Sequence, residues 1–130
     1  CMTSSYNKND LINYRIEQAE NTIQEIPLLI ENKLYKTAVN RIYYGMFYAL
    51  LALALKHNFK TAKHRQLIGW FNKQFVKTGI IDTKYGKIIN DAFENRSDSD
   101  YGLFVDFTND EVQEMYKEMQ EFINKLKKHI

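Results

Sequence analysis

Arg41 and Arg96 stand where the helical periodicity of their neighbours calls for apolar side chains. A guanidinium taken out of water is costly unless its donors find acceptors, so each must be paired. Asp100 and Tyr101, a turn beyond Arg96, could accept, as could Tyr43 or Tyr44. From the residues alone, two uses stay open. Arg96 and Asp100 can close an internal ion pair that pins a loop to the fold. Alternatively, Arg41, Arg96, Asp100 and Tyr101 can form one polar pocket that grips phosphate oxygens with planar, forked donors.

His64, between Lys63 and Arg65, can serve as a general acid or base, although the same position suits an exposed histidine at a helix start. The charge around it is one-sided. From Asn32 to Ile81 there are nine Lys or Arg and no Asp or Glu, so the rest of this chain of net charge +2 sums to −7. Lys56, Lys60, Lys63 and Arg65, with His57 and His64 among them, make a positive corner able to draw in RNA or nucleotide phosphate. A buried helix that lacks acids and has solvated ends would show the same bias.

Other chemistries lack their residues. His57, His64 and His129 have neither i, i+4 spacing nor cysteine partners, so no metal site is expected. Neither a Gly-rich phosphate loop nor a serine elbow is present, and no cofactor is expected. Cys1 is the sole cysteine and a poor nucleophile candidate; it rules out an intramolecular disulfide and leaves a cytoplasmic location as the expectation. Met2 is a candidate start, followed by polar residues in place of a signal-peptide core.

The elements that must position these groups are helices. With one proline, five glycines and 17 Tyr or Phe among 130 residues, long helices with aromatic packing are favoured, in one domain covering residues 1–130. Ile12, Ile16, Ala19, Ile23, Ile26 and Ile30 form a first stripe, capped by Asn9 or Asp10, kinked or broken at Pro27 and closed by Asn32 in a left-handed conformation. A second helix over 34–57 is apolar nearly all round, so other helices must cover it. Its apolar run, Ile42 to Leu55, is too short to span a membrane, and a buried central helix is expected. Its stripe Leu34, Ala38, Arg41, Gly45, Tyr48, Ala52 and Leu55 lets a helix or a ligand approach closely. A third helix is expected over 62–77, ended by Gly79, and a fourth from an Asp82 cap with Tyr85, Ile89, Ala92 and Arg96 inward. Residues 97–107 read as a helix end and ordered loop. A fifth helix opens on a Thr108–Glu111 capping box and buries Val112, Met115, Met119, Phe122 and Leu126. The fold class expected is all-α, an up-and-down bundle of four to five helices.

The run Ala38-Val39-Asn40-Arg41-Ile42-Tyr43-Tyr44-Gly45-Met46-Phe47-Tyr48-Ala49, then Lys63-His64, Phe75 to Gly79, and Arg96 with Asp100-Tyr101, closely resembles the small prokaryotic HEPN-domain proteins. Its most specific pieces are R-x-Y-Y-x-x-F and R-x-x-x-D-Y. The resemblance implies a HEPN bundle, commonly a homodimer, often paired with a minimal nucleotidyltransferase in a toxin–antitoxin or defence module. Many such proteins cleave RNA without metal, using an Arg and a His with four to six residues between them, two copies meeting at the dimer interface. Carried onto this chain the Arg is Arg96, but the three permitted histidine positions hold Tyr101, Gly102 and Leu103. An unperturbed tyrosine, with a pKa of ~10, moves protons poorly at neutral pH beside a histidine at ~6.5. His64 can stand in only if the bundle brings it to Arg96. Some relatives are also modified at a tyrosine by the partner nucleotidyltransferase, and Tyr101 is the candidate here. The expected site thus comprises Arg96 and His64 as catalytic residues and Arg41, Tyr44, Asp100 and Tyr101 as ligand-binding residues. A dimeric interaction protein without catalysis is the other reading.

Overall fold

The computed structural model describes residues 7–102 and 105–130; Cys1, Met2 and Leu103 lie outside the described residues. Five helices and no strands are present among the described residues: α1 (Lys8–Glu31), α2 (Tyr35–Lys56), α3 (His64–Phe71), α4 (Thr83–Tyr101) and α5 (Asn109–Lys127). They form the all-α bundle expected from the periodicity. α2 runs antiparallel to α1, since Arg41 meets Glu25 and Asn58 meets Lys8, and antiparallel to α4, since Asn40 meets Asp100 and Tyr44 meets Arg96. α5 lies parallel to α2, with Asn109 beside Tyr35.

Helix α2 is the hub because it has no polar face to give to water. Twelve of its residues are buried, from Ala38 through Ala54, and they meet Ile26 and Ile30 of α1, Ile88 and Ile89 of α4, and Met119 and Phe122 of α5 in one core. Although α2 is long and apolar enough to cross a membrane, 67% of its apolar window is buried inside the bundle, which makes it a core helix.

Local chemistry sets the boundaries, in places differently from expectation. α1 is capped by Asn7, whose side chain accepts the Asp10 amide at 2.8 Å, and not by Asn9 or Asp10. Pro27 does not break it: the helix continues to Glu31 with Pro27 on the exposed side. The left-handed residue after it is Lys33 (φ 60°), whereas Asn32 stays at φ −91° and uses its side chain to bond the Leu28 carbonyl. α3 starts two residues later than expected and ends in a π turn over Asn72–Val76, with Gly79 left-handed beyond it at φ 79°. As read, α4 ends within 97–107: it continues to Tyr101, because polar residues on its outer face need no apolar stripe to stay helical. The Asp82 cap and the Thr108–Glu111 capping box form as read.

The small residues of the α2 stripe admit helices. A Cβ built on Gly45 would collide with the Met119 terminal methyl and lie 3.3 Å from Thr22 Cγ2, so α1 and α5 both close onto this point. Met119 is fully buried and has little room to retreat. Gly45→Val therefore overpacks the junction of three helices. We expect a loss of about 1–3 kcal/mol in urea unfolding; an unchanged midpoint would show the contact to be looser than this geometry.

Candidate active site: an arginine and a histidine in an aromatic box

Arg96 ends the inward stripe of α4, where the antiparallel register lays it on the R-x-Y-Y turn of α2. Its side chain is only 13% exposed. Nη2 donates to the Tyr44 hydroxyl at 2.8 Å, and the guanidinium carbon lies 5.4 and 5.3 Å from the ring centroids of Tyr43 and Tyr44. Asp100, one turn on, brings Oδ2 to 3.5 Å from Nε, close enough for charge attraction but not aligned as a hydrogen bond. Nε is thus buried without a hydrogen-bond partner among the described residues. Burial works against the charged form, yet the Tyr44 hydroxyl and the Asp100 charge outweigh it, and the Arg96 pKa is held above its ordinary value. The cation is permanent.

The bundle brings His64 to the same two tyrosines that back this arginine. Its ring stacks on Phe47 with centroids 4.2 Å apart and planes at 12°, and it lies 5.6 Å from Tyr43 and 5.9 Å from Tyr44. Phe93 of α4 closes the box behind Tyr43. Tyr43 Oη and His64 Nδ1 are 2.6 Å apart. Burial first, and the Arg96 charge second, lower the His64 pKa below the usual histidine value, so the ring is neutral at pH 7. Burial raises the Tyr43 hydroxyl above its usual value, so it keeps its proton. Because Tyr43 is fully buried and its hydroxyl has no other partner, the arrangement that satisfies it is O–H donating to Nδ1. The His64 proton then resides on Nε2.

Arg41 belongs to a different set of contacts. Its Nε donates to Glu25 Oε1 at 3.1 Å and its Nη2 to Thr22 Oγ1 at 3.4 Å, both on α1. Although burial opposes its charge, Glu25 and the Tyr48 hydroxyl more than compensate, so its pKa is raised. Arg41 and Arg96 share no hydrogen-bonding partner, and the single pocket containing both is not what the helices build. The two clusters adjoin through Tyr44 and Tyr48, whose ring centroids are 6.2 Å apart. The reason is helical geometry: Arg41 lies on the α2 stripe that faces α1, whereas Tyr43 and Tyr44 reach α4.

Asp100 sits beside Arg96 and also accepts from Asn40 Nδ2 at 3.4 Å. Tyr101 is 81% exposed and stands outside the box. Phe47 and Phe93 were not singled out as site residues, yet they hold His64 and Tyr43; Tyr43 and Phe47, four apart on α2, carried a helical-face signal that periodicity could have used. Arg65 adds a second cation, its guanidinium carbon 5.1 Å over the Phe93 ring. Among the described residues no three His, Cys, Asp or Glu side chains gather in a metal-binding group.

Between the ordinary histidine value of ~6.5 and the lower folded value, the unfolded chain binds more protons than the folded one, so stability falls as pH drops through that window. In an NMR titration His64 should show a midpoint below ~6.5 that moves up in Arg96→Gln, where the charge is removed. A midpoint that ignores the substitution would separate His64 from Arg96 electrostatically.

The HEPN domain family matches residues 12–129. A Thermotoga maritima protein named "UPF0332 protein" is 35% identical over 123 residues, 95% of this chain and 93% of that protein. Two Methanocaldococcus jannaschii proteins are similar: "Putative toxin MJ0142", 33% identical over 88% of this chain and 78% of its own length, and "Putative toxin MJ0605", 36% identical over 87% and 84%. An R-x-Y-Y turn packed on an R-x-x-x-D-Y helix end, in a five-helix bundle matched along nearly its whole length, places this chain in the HEPN domain family.

Proposed function

We propose that this chain acts as a toxin-type HEPN protein that binds RNA or nucleotide phosphate at the Arg96 box, working as a homodimer with a minimal nucleotidyltransferase as its antitoxin partner. The observation that carries the reading is Arg96 itself. It is a permanent cation, mostly withdrawn from water and backed by two tyrosines, with only Tyr44 among the described residues accepting a hydrogen bond from it. A phosphate at its exposed edge supplies further acceptors and the opposite charge together. The names of the two Methanocaldococcus jannaschii relatives support the toxin role, and the family resemblance supports the partner and the dimer.

A second reading, a metal-independent RNase, is favoured by one specific feature. His64 shares Tyr43 and Tyr44 with Arg96 and so can take the place of the histidine missing after Arg96. In such a reaction the ribose 2′-oxygen bonds to phosphorus and the bond to the 5′-oxygen breaks. Arg96 would stabilise charge on the phosphoryl oxygens, His64 in its cationic form would protonate the leaving oxygen, and the 2′-hydroxyl proton would pass to water. Phosphate bound at Arg96 offsets the charge that depresses His64, so the imidazolium gains population when it is needed.

Filter binding of tRNA at two salt concentrations tests the first reading. The wild type should bind with clear salt dependence, and Arg96→Ala should weaken binding by roughly tenfold or more, the scale of a hydrogen bond to a charged group. Absence of salt-sensitive binding would overturn it. Incubating the same tRNA with wild type, Arg96→Ala and His64→Ala tests the second: cleavage must be lost in both variants while binding survives in His64→Ala, and no cleavage by wild type above the Arg96→Ala control removes the enzyme.

A further inference from the structure

Phe47, whose face carries the His64 ring, also lines a groove. This groove of about 280 Å³ runs between α1, α2 and residues 59–62, lined by Arg15, Phe47, Tyr48, Phe59 and Lys60. Phe59 then stacks flat on Trp70, with centroids 5.2 Å apart and planes at 4°, and lines a second groove of about 490 Å³ with His57, Trp70, Gln74 and Ile80. The two grooves share Phe59, and the first shares Phe47 with the Arg96 box.

Neither groove is lined by an Asp or Glu. Arg15 and Lys60 stand in the first, and Lys56, Lys63 and Arg65 are exposed nearby in the stretch that contains no acid. A floor of aromatic faces under a cationic rim calls for an occupant with flat apolar faces and a regularly spaced anionic backbone. A single strand of nucleic acid has both, because its unstacked bases can lie on aromatic rings while its phosphates meet the cations. Duplex RNA keeps its base faces inside the helix and would leave the aromatic floor uncovered.

We propose that these two grooves extend the Arg96 box into a track for a single strand of RNA, with bases against Phe59 and Trp70 and phosphates along Arg15, Lys60 and Arg65. The track rests on the RNA reading above and narrows it, from any phosphate ligand to an unpaired strand several nucleotides long.

Trp70 is the only tryptophan in the chain and so reports on the far groove directly. The full chain is titrated with a fluorescein-labelled uridine oligomer of about twelve nucleotides, following oligomer anisotropy and Trp70 emission together. Emission should be quenched in step with anisotropy. The oligomer should bind roughly tenfold or more tighter than a uridine dinucleotide, since each stacked base adds affinity. Lys60→Glu, on an exposed rim away from Arg96, should weaken oligomer binding about tenfold with its circular dichroism unchanged. Arg96-dependent binding that leaves Trp70 emission unchanged and is indifferent to Lys60→Glu overturns the track and spares the RNA reading. A duplex that binds as tightly as the single strand overturns it as well, as does equal quenching by a poly-aspartate peptide, which would assign the grooves to an acidic protein. Failure of the oligomer to bind at all removes the track and the RNA reading together.

Discussion

A guanidinium lodged against two tyrosines, with most of its surface out of water, constrains every element that touches it. Arg96 keeps its charge under all ordinary conditions, so the surroundings have to adapt to it. Tyr44 gives a hydroxyl acceptor, Asp100 gives countercharge from the next turn of the same helix, and the rings of Tyr43 and Tyr44 offer their negative faces. The effect reaches His64, whose pKa is lowered first by burial and then by the Arg96 charge. The buried Tyr43 hydroxyl in turn selects which ring nitrogen of His64 bears the proton. Burial and one positive charge together set the state of groups on three helices.

Helix α2 can be both the hub of the core and the wall of this site because its two sides differ in size. Ala38, Gly45 and Ala52 are small where α1 and α5 close in, while Tyr43, Tyr44 and Phe47 project toward α3 and α4. Close approach on one side sinks the helix deep in the bundle, and large rings on the other span the remaining distance to Arg96 and His64. The π turn after α3 fits the same economy of space. Its Asn72 and Val76 sit on Gly86 of α4, where an added Cβ would lie 2.7 Å from Asn72 Oδ1, so α3 packs closely against the helix that carries Arg96.

The fold was largely legible in the sequence because apolar spacing is a local, repeating signal. The stripes Ile12 to Ile30 and Val112 to Leu126, the all-round apolar α2 and the Asp82 and Thr108 caps were each readable from a few adjacent residues. The errors fell where one residue had to be chosen among near equals. Asn7, Asn9 and Asp10 can all cap a helix, and left-handed geometry passed from Asn32 to Lys33 because Asn32 turned its side chain to the Leu28 carbonyl. The loss of apolar periodicity after Arg96 marked the stretch in which α4 ends, and its last, outward-facing polar turn remains helical to Tyr101.

By itself the sequence determined the class of fold, the central place of α2, the family-specific arginine and tyrosine elements, and the presence of a cation in a core register. Only the tertiary structure decided which groups that cation meets. Arg41 and Arg96 looked alike as interruptions of apolar stripes, yet one turned to Glu25 and Thr22 of α1 and the other to the tyrosines of α2. His64, more than thirty residues before Arg96, was carried to the same two tyrosines by the α2–α3 turn, whereas Tyr101, five residues after Arg96, ended in solvent. Periodicity specifies which way a side chain faces on its own helix; what lies opposite depends on how helices distant in the chain are rotated and offset against one another, and no local pattern encodes that.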